Sequence, residues 1–357
     1  MHRIYDDLAQ SLYTIETPAF KLTFAQRNAQ LEELISKIAT AQSLILSTHR
    51  QCDGDGLGAQ LALFHALKKI GKKVRVVNVD PTPKKYKFLS PDQFIHYFEV
   101  KPPEDLSADL ALIFDTNDER LIEPLFSSLK KSVKAIAFVD HHPVLSQGPQ
   151  PTKGSVIDVK SASTGEMAYR LIQGLKIPLD REIARCLYTS ITFDTQLYRF
   201  VRNSPTSHLI AAELLTHDIN PEEIHRHLFG NQTVNKMAFL ARALGQIEYH
   251  CHGKVAFLKL RDEDILHFGI DMDESRDVID MIMNIESIEA AAIFREDATN
   301  KFKVSLRSKD KLEVLSIAEA LGGGGHRHAA GAYIDGHYEA LREKVLKHLA
   351  DKIRLMD

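Results

Sequence analysis

Tryptophan is missing from this sequence and cysteine is nearly so, with three thiols in 357 residues. The scattered positions of Cys52, Cys186 and Cys251 exclude a disulfide framework and a thiolate zinc site. Charge of one sign is also lacking. A net charge of -3 provides no gross attraction to duplex nucleic acid or an anionic membrane, although a local basic face is compatible with it. No apolar run approaches the roughly 20 residues that cross a bilayer. The stretch from Met1 to Phe20 carries Asp6, Asp7 and Glu16 and no long apolar core, unlike a secretory signal; a cytoplasmic protein is expected. Internal repeats and low-complexity segments are absent. What is present is 44% apolar and 26% charged residues, enough for a sizeable core, in a chain whose length favours two domains.

Strand-like and helix-like segments alternate through the first part. Leu31, Leu34, Ile35 and Ile38 fall at helical spacing. The run Ser43 to Thr48 then leads into His49-Arg50-Gln51-Cys52-Asp53-Gly54-Asp55-Gly56-Leu57-Gly58, a helix to Ile70 and a strand from Val74 to Val79. Leu110 to Phe114 ends on Asp115-Thr116-Asn117-Asp118. After a helix from Leu121 to Leu129, the run Ala135 to Val139 ends on Asp140-His141-His142. Ser163-Thr164-Gly165-Glu166 has capping-box spacing and opens a helix through Leu175; a further helix from Arg181 to Ile191 delivers Asp194. The alternation predicts an α/β fold with a mostly parallel sheet covered by helices on both faces.

Residues 1–28 read as an N-terminal helical extension, 29–203 as the first domain and 204–243 as a helical connector. Within the connector, Asn220-Pro221 makes a good helix start. Residues 244–357 read as a smaller α/β domain. It is expected to hold a strand from Lys254 to Leu260, a helix from Asp277 to Ile285 and a hairpin of Ala290–Phe294 and Phe302–Leu306 turning at Asp297 to Asn300. A helix from Leu315 to Leu321 then runs into a glycine loop, Gly322 to Gly331, before a charged helix from Tyr338 to Ile353.

Four strand or helix ends thus present acids and imidazoles at the expected carboxyl edge of the sheet, where open α/β folds bind ligands. His49, Asp53 and Asp55 share one loop; Asp115, the Asp140–His142 triplet and Asp194 lie on three others. Each piece alone has a plainer reading, since Asp-Gly-Asp-Gly is usually a turn and a lone Asp usually a cap. Their joint occurrence favours a site. Carboxylates with a few imidazoles and no thiolate suit Mn²⁺ or Mg²⁺ better than structural zinc. So many ligands fit two ions about 3.5–4 Å apart better than one, an arrangement that clamps a phosphoryl group and activates water. Gly54, Gly56 and Gly58 allow close backbone approach and start a helix whose N-terminus favours phosphate.

His49 to Asp55, Asp115, Asp140-His141-His142-Pro143 and Asp194-Thr195 resemble, in order and spacing, the four motifs of the DHH phosphoesterase superfamily. Gly322 to Gly331, with its Gly-His and Ala-Ala-Gly, resembles the signature of the associated DHHA1 domain. Arg307 in Val304-Ser305-Leu306-Arg307-Ser308 matches the short two-domain members of the oligoribonuclease (nanoRNase) and pAp-phosphatase type. The resemblance covers about residues 30–340. It implies an active-site cleft between the two domains and two divalent cations, Mn²⁺ before Mg²⁺. His49, Asp53 and Asp115 would hold one ion, and Asp55, Asp115, His141 and Asp194 the other, with Asp115 bridging.

In that scheme His142 has no ion to hold and is assigned to the scissile phosphate, stabilising charge or donating a proton to the leaving oxygen. Asp140 would orient it. Arg307, the backbone of Gly323, Gly324 and Gly325, and His326 would grip a terminal phosphate. Arg199 either contacts the substrate or is a surface arginine, and isolated histidines such as His225 and His250 are taken as surface residues. Two departures from the family pattern stand out. Cys52 occupies a position that is usually proline, which would make the site oxidation-sensitive if the thiol were exposed. Gln196-Leu197 stands where Gly-Ser is common, which puts the substrate contacts there in doubt.

The activity so implied is hydrolysis of short oligoribonucleotides and linear dinucleotides such as pApA to nucleoside monophosphates, and of pAp to AMP. Membranes and long duplexes are not expected as partners; a homodimer is compatible with the reading. The alternatives within the superfamily are a cyclic-dinucleotide phosphodiesterase, a single-strand DNA exonuclease and a manganese pyrophosphatase. Outside catalysis, the alternative is a silent nucleotide sensor.

Overall fold

Apolar runs of five or six residues, each closed by polar or turn residues, become the central strands of a parallel sheet. The computed structural model describes residues 29–145, 148–230, 232–270, 277–309 and 311–355; the expected N-terminal extension lies outside them. Two compact units divide at Leu228 and Phe229.

In the first unit the strands are β1 (Ser43–Thr48), β2 (Lys73–Asn78), β3 (Ile95–Tyr97), β4 (Leu110–Phe114), β5 (Ile136–Asp140) and β6 (Val156–Ile157). They pair in the order β3-β2-β1-β4-β5-β6, every pair parallel. Both faces are covered, so the central strands β1, β4 and β5 are buried along nearly their whole length rather than alternating. On one face Ile45, Val77, Ala111, Ile113 and Phe138 pack with Leu125, Phe126 and Leu129 of helix Leu125–Ser132. Residues of the other parity, Leu44, Leu46, Val76, Leu112 and Val139, are equally buried. Helix Gly54–Lys69 runs against β1, β2 and β4, and helices Thr164–Gly174 and Arg181–Asp194 pack on it in turn. Strand order reverses direction between β1 and β4. The chain therefore leaves their carboxyl ends toward opposite sides of the sheet, and the edge between is the place where such sheets hold ligands.

The second unit is built on β7 (Glu248–His250), β8 (Val255–Arg261), β9 (Ala290–Ala298), β10 (Lys301–Ser308), β11 (Gly324–His326) and β12 (Ala329–Asp335), ordered β11-β12-β10-β9-β8-β7. All pairs are antiparallel except β8 with β9. Phe257, Phe294, Phe302, Val304 and Leu306 on one face bury against Val345, Leu349 and Ile353 of helix Tyr338–Arg354. Two expectations need correcting here. The hairpin strands run to Ala298 and from Lys301, because Asn300 accepts a φ of 58° and lets a two-residue turn close. The glycine stretch is not wholly a loop either. Gly324 to His326 form the edge strand β11, pairing with Gly331 to Ala329. Glycine permits this approach: a Cβ on Gly323 would lie 2.0 Å from the Gly331 carbonyl oxygen.

Candidate active site and metal centre

Six of the acids and imidazoles expected to act together lie in one place in the first unit. His49 follows β1, and Asp115 follows β4 in the left-handed region (φ 62°). A non-glycine residue held there is strained, and such strain gathers at functional sites. Asp53 caps helix Gly54–Lys69, its carboxylate accepting from the amides of Asp55 and Gly56. Asp194 closes helix Arg181–Asp194. His49 Nε2 lies 3.5 Å from Asp115 Oδ2 and 3.9 Å from Asp53 Oδ2. His141 Nε2 lies 3.6 Å from Asp55 Oδ2, 3.7 Å from Asp115 Oδ1 and 3.5 Å from Asp194 Oδ2.

Whether these groups suit a cation can be judged from their own chemistry. The Nε2 atom of His141 is buried without a hydrogen-bond partner, while its Nδ1 faces the Ser161 carbonyl oxygen at 3.3 Å. That is the disposition of a metal-ligating histidine, whose far nitrogen is fixed by a backbone oxygen. Burial, helped by the neighbouring His142, lowers its pKa to about 3, so the ring is neutral and able to ligate. The carboxylates point the same way. Burial pushes Asp55 up to about 7. It also drives Asp115 and Asp194 well above the ordinary carboxylate range, and the charges of Asp55 and Asp53 add to this in both. Acids crowded at such a cost call for a cation that reverses the balance. Three ligand groups meet that geometry: His49-Asp53-Asp115, Asp55-His141-Asp194 and Asp115-His141-His142. Asp115 is shared by two of them.

His142 is placed differently. Its Nδ1 lies 2.8 Å from Asp140 Oδ1, and its backbone amide donates to the same oxygen at 3.2 Å. Burial opposes charging of the ring. The hydrogen bond and charge of Asp140 outweigh this, and the imidazole is held above its ordinary pKa.

Several contributors were not singled out from sequence. Asn117 Nδ2 donates to Asp140 Oδ2 at 2.7 Å and to the His142 carbonyl at 2.9 Å. Asp55 accepts from the amides of Thr164 (2.7 Å) and Gly165 (3.0 Å), at a helix start, and from the Ser190 hydroxyl. Thr164 Oγ1 donates to Asp115 Oδ1 at 3.0 Å. Ser190 stands one helical turn before Asp194, so its face could have been inferred. Arg202, in the left-handed region at φ 53°, places a positive charge that reaches His141 and Asp194. We expect Asn117→Ala to lower kcat by about 10- to 100-fold with little change in KM, the usual cost of freeing a residue that orients the reacting groups. Steady-state kinetics at saturating Mn²⁺ checks this, and an unchanged kcat would remove Asn117 from the site.

Two expectations change. Cys52 is only 2% exposed and burial pushes its thiol up to about 12, so it is neither accessible nor nucleophilic. His225 is half-buried rather than a plain surface residue, its ring stacked on Tyr188 with centroids 5.8 Å apart. Arg199 lies exposed on the turn after Asp194, its guanidinium over the Phe200 ring at 5.1 Å. Arg307 and the stretch Gly323 to His326 belong to the second unit. There Arg307 and His326 pair with Ala329 from either side, which puts both on one face of the sheet.

A model of the DHH family, N-terminal domain, matches residues 43–191, and a DHHA1 domain model matches residues 252–354. The chain carries a DHH-family N-terminal domain and a DHHA1 domain. The protein is 28% identical over 314 residues to the bifunctional oligoribonuclease and PAP phosphatase NrnA of Thermus thermophilus, covering 87% of this chain and 90% of the relative. It is 25% identical over 308 residues to the protein of the same name from Mycoplasma genitalium, covering 86% and 93%. In structure it is similar to an exopolyphosphatase-related protein from Bacteroides fragilis. The TM-score is 0.82 at 23% identity, over 92% of this chain and 99% of that one, a likeness of fold. Among the described residues, no helix is long and apolar enough to cross a membrane.

Proposed function

We propose that this protein hydrolyses short oligoribonucleotides and linear dinucleotides such as pApA to nucleoside monophosphates, and pAp to AMP. The observation that carries the reading is the convergence of His49, Asp53, Asp55, Asp115, His141 and Asp194, with the unbonded Nε2 of His141 facing three carboxylates. The names of the relatives, which span nearly the whole chain, support the substrate class. His49, Asp53 and Asp115 would hold one divalent cation and Asp55, Asp115, His141 and Asp194 a second, Mn²⁺ before Mg²⁺. When bound, such ions neutralise phosphoryl oxygens and acidify the attacking water.

The chain's own groups do the rest. Water adds to phosphorus as the bond to the leaving ribose oxygen breaks; that oxygen takes a proton from His142, the water gives up one to solvent, and the ring is recharged from solvent. Asp140, 2.8 Å away, fixes the ring and favours its charged form. Asn117 in turn fixes Asp140. Arg307 and His326, with the backbone of Gly323, Gly324 and Gly325, hold a phosphate of the substrate, and Arg199 contacts its base or backbone.

The deciding experiment compares pAp, pApA, an RNA 5-mer, a 24-mer and cyclic di-AMP with Mn²⁺, using a doubly substituted Asp140→Ala/His141→Ala protein as blank. Turnover of pApA and the 5-mer, with the 24-mer and the cyclic substrate nearly untouched, is expected. Preference for either of the latter would overturn the substrate assignment, and turnover of none would overturn the activity. Arg307→Ala is expected to raise KM for pApA by about tenfold to a hundredfold, the worth of a charged hydrogen bond, with a smaller effect on kcat. Initial-rate measurements across substrate concentration separate the two.

A further inference from the structure

Alternation along the strands of the second unit leaves half of one sheet face polar. On that face the β8 and β9 side is covered: Leu258, Leu260 and Ile293 pack with Phe239, Ile265, Val278 and Ile282. Among the described residues, the buried members of this cluster stop at β9. The β10 and β12 side carries Lys303, Ser305 and Arg307 at alternate positions of one strand. Tyr333 is directly opposite Lys303, and Gly331 is opposite Ser305. Tyr333 is 70% exposed, and the Lys303 ammonium sits 5.3 Å from its ring centroid. Arg295, across from Lys303 on β9, is tied to Asp297 at 2.5 and 3.1 Å. Lys303 is therefore the long, half-buried cation that can swing to a ligand. A cavity of about 210 Å³ opens between this surface and Ile279, with Lys303, Ser305, Arg307 and Gly331 along it.

We infer that Lys303 and Tyr333 form a second nucleotide subsite, with Tyr333 stacking a base and Lys303 meeting a backbone phosphate. A row of cations beside an exposed aromatic ring is what single-stranded nucleic acid requires, and stacking accepts any base. Lys303 lies four residues from Arg307, about 14 Å along the strand at a rise of roughly 3.4 Å per residue, so side chains standing off the sheet at the two positions meet different phosphates. The subsite therefore serves a nucleotide beyond the one held at Arg307 and His326, and it acts only on substrates longer than a dinucleotide. The inference rests on the oligonucleotide reading above.

Its test uses the full chain with Lys303→Ala and Tyr333→Ala, assayed on pApA and an RNA 5-mer. Each substitution is expected to raise KM for the 5-mer about tenfold while leaving pApA within twofold. In Lys303→Ala the slope of log(kcat/KM) against log salt for the 5-mer should shrink by about 0.7, one phosphate contact on a single strand; in Tyr333→Ala it should hold. Unchanged kinetics on the 5-mer, or equal losses on both substrates, overturns the subsite. Binding of a labelled 5-mer without divalent ions separates this from the activity itself. If wild type turns over nothing yet both variants bind the 5-mer about tenfold more weakly, the subsite stands and the hydrolase reading falls. Equal binding by wild type and variants overturns the subsite whatever the turnover.

Discussion

An Asp115→Asn variant is expected to lose turnover by at least about a thousandfold, the several kcal/mol that bound ions contribute, while its metal-free form melts above wild type. Both effects come from one carboxylate. Asp115 is 5% exposed and shared between two ligand groups, with His49 at 3.5 Å on one side and His141 at 3.7 Å on the other. An amide of the same shape can still accept from Thr164 Oγ1 but cannot neutralise a cation. Without metal, burial and then the charges of Asp55, Asp53, Asp140 and Asp194 hold the Asp115 carboxyl well above its ordinary pKa. The folded chain then binds a proton that the unfolded chain has released. Metal-free wild type therefore loses stability as pH rises above the ordinary carboxylate range, and the variant loses less. Mn²⁺ reverses the order: at a hundredfold excess over its Kd an ion adds about 2.7 kcal/mol to wild type, and the variant gains less. Melting curves in chelator and in Mn²⁺, across pH, measure both arms. A variant that keeps a tenth of the wild-type rate, or melts lower in chelator, would show that Asp115 is structural.

The positions of these acids were legible because each follows an apolar run whose length fixes where a strand ends. Leu110 to Phe114 can only be a buried strand, so Asp115 must emerge at its edge, and the same holds for Asp140 after Ile136 to Val139. Roles within the cluster were less legible. Adjacent histidines look alike in a sequence, yet the fold buries His141 Nε2 among three acids and pins His142 to Asp140. The supporting contacts are long-range: Ser190 and Asp55 are 135 residues apart, and Thr164 and Asp55 are 109 apart. No local spacing encodes such a pair. The turn after Asp194 was beyond reach for another reason. Gln196, Leu197 and Tyr198 all take positive φ (47°, 61° and 65°) without a glycine among them. Such a turn is imposed by its surroundings against local preference.

Gly58→Ala is expected to lower the melting temperature by roughly 3–10 °C, from about 1–3 kcal/mol of overpacking, and to weaken catalysis as well. At Gly58, helix Gly54–Lys69 lies directly against the backbone of helix Arg181–Asp194. A Cβ there would stand 2.6 Å from the Cys186 carbonyl oxygen and 2.9 Å from the Ser190 amide nitrogen, both backbone atoms that cannot turn aside. The helices must separate. Ser190, whose hydroxyl donates to Asp55, moves with the second of them, and Asp194 follows one turn later. A change made only to improve helix propensity would thus reach two candidate metal ligands. Gly71→Ala provides the comparison. Its φ of 76° is strained for alanine, but a Cβ there meets nothing within 4 Å. That variant should lose about 1–2 kcal/mol and keep its kcat. Thermal melts and kinetics on both proteins decide the matter. If Gly58→Ala loses stability but keeps full kcat, the packing of these two helices is not what positions Asp55 and Asp194.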